Sequence, residues 1–288
     1  MEFAKTAKAL GLAPITGAEV TLTDGHHLTL LAETQEGYRN LCRLLTAAHR
    51  HDRRTPALDP ALLADHACGL IALSGCRSGE VPSLVQAGRL AEAEAAASRH
   101  REWFGPQGYY LELQHNLVYG DDERIRGLLG LAQRLDLPVV ATNDAHYHVR
   151  ERSRLQDVLV AIGACATLEA THQQRRPNSE FALKPPQEMA ALFTEHPVAL
   201  RSTLAIAERC RFDLTGGLGI SSRPTRWLRA PPLTAIWRTS VMPPPHSGTG
   251  SSPSARGPGW RQNWRWCGGR DWPASSCCTG TSWCWPTR

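Results

Sequence analysis

Over residues 1–220 the apolar positions alternate between two spacings. Five short runs predict strands: APITGAEVTL, HLTLLAE, GLIALSG, GYYLELQ and LPVVATND. They are apolar or alternating, and turn residues bound them. The first two are joined by Thr-Asp-Gly, whose Asp-Gly pair suits the positive φ of a tight hairpin. Other runs predict helices. Residues 2–11 form one that stops at Gly11, and TQEGYRNLCRLLTAAHR forms another, with Thr34 as N-cap and Leu41, Leu44 and Leu45 on one face. DPALLADHA begins with Asp59 as cap and Pro60 in the first turn, and EVPSLVQAG makes a helical turn. RLAEAEAAASRHREWFG ends at Gly105, and DDERIRGLLGLAQRLD opens on capping aspartates. Strands alternating with helices predict an α/β fold with a mainly parallel sheet or barrel, whose chemistry sits at the C-terminal ends of the strands.

No apolar run reaches the roughly 18 residues of a membrane span. The opening MEFAKTAKALGLAP carries Glu2, Lys5 and Lys8, so it reads as an amphipathic helix and not as a signal peptide. A cytoplasmic protein is expected. The nine cysteines include no CxxC pair, which predicts reduced thiols.

Charge divides the chain. The whole carries a formal +5, but residues 1–220 hold 23 Lys+Arg against 26 Asp+Glu. Residues 221–288 hold nine arginines, one acid (Asp271) and eight of the nine tryptophans, with no Glu, Lys, Tyr or Phe. Folded domains seldom lack four such common residues. Joining each codon's third base to the next codon's first two forces Leu from Asp271-Trp272, Ala from Trp272-Pro273, and Leu from both Cys277-Cys278 and Cys284-Trp285. The shifted reading of this stretch is an apolar core segment, so residues 220–288 are expected to be a disordered frameshift product, the break falling near 219–222. The alternative is a Pro/Gly/Ser/Arg-rich tail that binds RNA or DNA.

Candidate ligands fall at strand ends. Glu19 lies on ITGAEV, His27 begins HLTLL, Cys76 closes LIALSGC, and Asp144 and His146 close VVATNDAH. Imidazole, thiolate and carboxylate together suit zinc or manganese-like ions rather than calcium. Singly, each has a plain structural reading: turn former, helix cap, or, for Cys76, a small buried hydrophobe. His26, His49, His51, His66, His100, His148, His172 and His196 read as surface or packing residues, and His115, in LELQHNL, stands between packing and lining the site.

At ITGAEV, HLTLLAETQEGYRNLCRLLT, GLIALSGCRSGEVP, LPVVATNDAHY and RRPNSEFALKPPQEMAALF, from Met1 to about Gly219, the chain resembles the bacterial C-family DNA polymerases. These are the alpha subunit of DNA polymerase III and, more closely, its error-prone, translesion paralogue. The resemblance implies a polymerase and histidinol phosphatase (PHP) domain, a distorted β/α barrel, here incomplete and lacking its first strands with their His-x-His and Asp-His ligands. An opened barrel exposes edge strands, so residues 1–220 alone are expected to be marginally stable and prone to aggregate. It further implies a PHP-like domain over 1–150 and a helical segment over 151–219 leading towards the polymerase palm. Glu19, His27, Cys76, Asp144 and His146 become a zinc or manganese site. The parent enzyme transfers deoxynucleotides from dNTPs to a DNA primer with Mg²⁺, alongside replication or repair proteins. The palm aspartates lie beyond the frame break, so no polymerisation is expected of this polypeptide itself. Two other readings stay open: a free-standing PHP phosphoesterase, and a non-enzymatic nucleic-acid binder using the Arg/Trp tail.

Overall fold

The computed structural model describes residues 1–216 apart from 51 and 53. The expected frame break and tail lie outside the described residues. In chain order the elements are α1 (Glu2–Ala9), β1 (Gly17–Thr21), β2 (His27–Ala32), α2 (Gln35–Ala48), α3 (Ala61–His66), β3 (Leu70–Leu73), α4 (Glu80–Gln86) and α5 (Leu90–Phe104). There follow β4 (Tyr109–Gln114), α6 (Asp121–Leu135), β5 (Val139–Thr142), a 3₁₀ turn at Arg150–Arg152, α7 (Ser153–Gly163), α8 (Pro186–Leu192) and α9 (Pro197–Arg209). All five expected strands are present, as one open sheet in the order β1-β2-β3-β4-β5. It is a mixed α/β arrangement of the kind a partial PHP-like barrel has.

The sheet is not mainly parallel. β3, β4 and β5 run parallel, but β1–β2 and β2–β3 are antiparallel. The hairpin accounts for the first reversal. The second arises because two helices separate β2 from β3. α2 runs away from the end of β2 and α3 returns, so Glu33 N–H meets Gly69 C=O, and β3 starts where β2 stopped. A single crossover helix would have made the pair parallel.

Side chains of paired residues share a face, and the two faces differ. Val20, Leu28, Leu30, Ala72, Tyr109, Leu111, Leu113 and Ala141 lie on one side and pack under α2, α5 and α6. On the other side Leu31, Ile71, Leu73, Tyr110 and Val140 meet Ile206 and Cys210 of α9 and its C-terminal end. That second face turns polar towards one edge, where Glu19 pairs with Thr29, Thr21 with His27, and Gln114 with Thr142.

Caps follow the sequence in part. Thr34 Oγ1 accepts from Gly37 N–H at 3.1 Å, and Asp59 Oδ1 from Ala61 N–H at 3.0 Å. At α6 the cap is Gly120 instead of an aspartate. Asp121, the first helical residue, is buried against Arg124 and accepts from the N–H groups of Asn116 and Val118. Cys42, Cys68, Cys76, Cys165 and Cys210 are free thiols. Among the described residues no helix is long and apolar enough to cross a membrane.

α4 is tied to α5 by charge. His100, buried on α5 and stacked on Tyr109, reaches Glu80 at 3.1 Å, and Arg99 binds the other oxygen of the same carboxylate. The His100 bond, helped by Arg99, holds the Glu80 carboxyl down at about 2. A carboxyl depressed on folding stabilises fully above its unfolded value, near 4.5, and loses that contribution as pH falls towards 2. Glu80→Gln should therefore be less stable than wild type at pH 7 by about 2 kcal/mol, with the gap closing between pH 4.5 and 2. Solvent screening of the half-exposed Arg99 partner reduces this gap from the full linkage value of roughly 3 kcal/mol. Urea midpoints of both proteins across that range give the comparison; a gap independent of pH would refute the pairing.

Candidate metal centre

The polar edge of the second sheet face brings together three of the five predicted residues, Glu19, His27 and Cys76. Glu19 is in mid-β1, and His27 opens β2 at the edge where β3, β4 and β5 end, because β2 runs antiparallel to them. The loop after β3 folds over His27: His27 N–H donates to Ser78 C=O at 3.1 Å, and Gly79 N–H closes a turn on Cys76 C=O at 2.7 Å. Gly75 makes this approach possible. Its φ is +85°, and a Cβ there would stand 2.5 Å from the His27 carbonyl oxygen. SGCRSG is thus a loop shaped to press Cys76 against His27.

The result is a compact donor set. His27 Nδ1 lies 3.5 Å from Cys76 Sγ and 3.3 Å from Glu19 Oε1, and one donor atom from each of the three residues fits within 4.8 Å of the others. A tetrahedral ion with bonds of about 2.0 Å to nitrogen and oxygen and about 2.3 Å to sulfur separates its donors by roughly 3.3–3.5 Å. Both separations from His27 match these values, and the three donors form a group that could hold one ion. The Cys76 and Glu19 contacts push the His27 imidazole up to about 10.

Asp144 and His146 form a second pair, with Nε2 3.2 Å from Oδ1. The turn after β5 puts Asp144 in the left-handed region at φ 45°, a strained setting that Asp tolerates better than most residues. Arg176 lies across the pair: it contacts His146, approaches Asp144 Oδ2 at 3.8 Å and stacks on Phe181. Burial pushes the Asp144 carboxyl up, but the His146 bond and the charges of Arg176 and His27 outweigh it and hold the group below the usual carboxylate range.

His115 faces elsewhere. It bonds Asp122 at 2.9 Å and lines a cavity of about 630 Å³ with Ile125, Phe193 and His196, a lining that includes none of the five candidate ligands.

One residue escaped the sequence reading. Glu112 sits in β4 with only 6% of its surface exposed, and burial, reinforced by the negative charges of Asp144 and Glu19, raises its carboxyl above the usual range. Thr142 and Gln114 both donate to its Oε1. In YYLELQ the polar residues Glu112 and Gln114 alternate with leucines, a pattern that reads as a half-exposed strand, and only the structure shows the strand buried on both faces.

Residues 1–116 match the PHP domain family. Over 228 residues the chain is 44% identical to the error-prone DNA polymerase of Symbiobacterium thermophilum, covering 73% of this chain and 21% of that protein. It is 36% identical to the DNA polymerase III alpha subunit of Treponema pallidum over 225 residues, with 73% and 19% covered. The alpha subunit of Thermus aquaticus is also 36% identical, over 236 residues, with 75% and 19% covered. The chain spans about a fifth of the length of these relatives.

Proposed function

We propose that this chain, a homologue of the bacterial C-family DNA polymerases with a PHP domain at its N-terminus, is the PHP portion of an error-prone, translesion polymerase. The observation that carries this reading is the 44% identity over 228 residues to an error-prone enzyme, against 36% to the two alpha subunits. In this reading the PHP domain extends through β5 to about residue 150, and α7 to α9 lead towards a palm that belongs to the rest of the polymerase. The parent reaction is template-directed transfer of deoxynucleotides from dNTPs to DNA, with Mg²⁺ at the palm.

Glu19, His27 and Cys76 would hold zinc or manganese, with Asp144 and His146 alongside. A bound ion of this class lowers the pKa of a coordinated water and can supply hydroxide to a phosphoester. The chain's own residues favour a scaffold over a hydrolase. Arg176 ties Asp144 and His146 into a closed ion-paired group, which keeps two of the five candidate ligands engaged with protein.

Two measurements on the full chain test this. Mixed with an error-prone polymerase deprived of its own PHP region, the chain should restore primer extension, and an alpha subunit deprived likewise should gain less. Equal rescue of both, or of neither, would remove the error-prone assignment. With added Mn²⁺ or Zn²⁺, p-nitrophenyl phosphate should turn over no faster than in EDTA; robust metal-dependent turnover would favour a free-standing phosphoesterase.

A further inference from the structure

We infer that Glu112 is an additional member of the candidate metal centre, a positioning residue whose free oxygen Oε2 accepts a hydrogen bond from water held by the cation. This deepens the metal-holding reading above and rests on it.

Three observations place Glu112 there. The first is register. Glu112 pairs with Val140, and the neighbouring pair is Gln114 with Thr142, so Glu112 lies on the sheet face that carries Glu19, Thr29 and His27 at its polar edge. The second is attachment. Thr142 and Gln114 fix Oε1 from one side, and the Glu112 N–H donates to Ser74 Oγ at 2.8 Å, two residues before Cys76. The carboxyl is held by Thr142, two residues before Asp144, and by Gln114, while Ser74 anchors the Glu112 backbone two residues before Cys76. The third is an unmet bond. Oε2 is buried and has no hydrogen-bond partner among the described residues.

An unpaired carboxylate oxygen in the interior is costly whether charged or neutral, and native folds keep few such groups without a functional reason. Glu112 also feels the negative charges of both Glu19 and Asp144, the acids on the two sides of the site. Glu112 and Asp144 are both largely buried while Glu19 is half exposed, and the mutual repulsion of these carboxyls is relieved when a cation enters. A metal-bound water, polarised and acidic, is the donor that satisfies Oε2 without adding negative charge. Partners of this kind outside the ligand set typically change metal affinity by about 10–100-fold.

The test uses the full chain and Zn²⁺ or Mn²⁺ alone. Glu112→Gln keeps the size of the side chain and removes its capacity for charge. A merely structural glutamate would leave metal affinity untouched by this change. The expected result is a dissociation constant weakened about 10–100-fold by chelator competition, with the metal-free melting temperature unchanged or raised. Should Glu112→Gln fail to fold, Thr142→Val removes a donor that orients Oε1 and is expected to weaken binding about tenfold. Affinity within twofold of wild type in a folded variant overturns the role of Glu112 and leaves the metal site standing. Failure of the wild-type chain to bind either ion overturns both.

Discussion

Replacing His27 with alanine is expected to weaken zinc binding by the full chain by more than about 100-fold, beyond the upper end of what residues outside the ligand set contribute. The reason is position. Nδ1 is the atom that touches both neighbours, 3.5 Å from the sulfur of Cys76 and 3.3 Å from the carboxylate of Glu19, so its loss leaves two donors with nothing to close the group. Two ligands do not make a protein zinc site, where closed sets of four, or three with water, are the rule. Cys76→Ser, which exchanges a thiolate for a weak hydroxyl donor, should fall in the same direction by a smaller factor. Competition with a chromophoric chelator, in reducing buffer, measures all three proteins. Wild-type affinity in both variants would show that these side chains meet only as packing neighbours.

The second large effect concerns the frame of the fold. Gly37, in the first turn of α2, faces the turn before β3 so closely that an added Cβ would stand 1.7 Å from the carbonyl oxygen of Gly69. Both sides of this contact are backbone, and Thr34 Oγ1 caps Gly37 at the same place, so neither partner can yield locally. Gly37→Ala would raise helix propensity in an isolated peptide. In the protein it must push α2 off the sheet, at a cost of about 3 kcal/mol. For a domain of this size that corresponds to a melting temperature lower by about 10 °C. A melting curve at or above that of wild type would mean the two backbones do not pack as described. The same substitution at Gly163, where a Cβ meets nothing within 4 Å, should not lower it and serves as the control.

Gly37 also shows where reading along the chain stops. By propensity it is a blemish in an otherwise good helix, and only the packing of two distant backbones gives it a purpose. Glu112 is the same case in chemistry. Inside a strand it reads as an ordinary alternating polar position, and the register with β5 together with burial turns it into a carboxyl facing the site. His115 went the other way: just past a strand, like the candidate ligands, it turns to Asp122 and a separate cavity.

What the chain determines alone is local. The five strands, the helices between them, the Thr34 cap and the hairpin follow from period and turn chemistry, because these depend on residues a few positions apart. The candidate ligands could be named individually, since imidazole, thiolate and carboxylate at strand ends are rare enough to notice. Their meeting does not follow from spacing and is expected only from the family resemblance. His27 joins the edge where the parallel strands end because two helices, and not one, separate β2 from β3 and reverse its direction. That reversal, the wrapping of the Cys76 loop over His27 and the tying of Asp144 and His146 to Arg176 depend on groups far apart in sequence. Spacing along a chain carries no record of such encounters, and folding into three dimensions decides them.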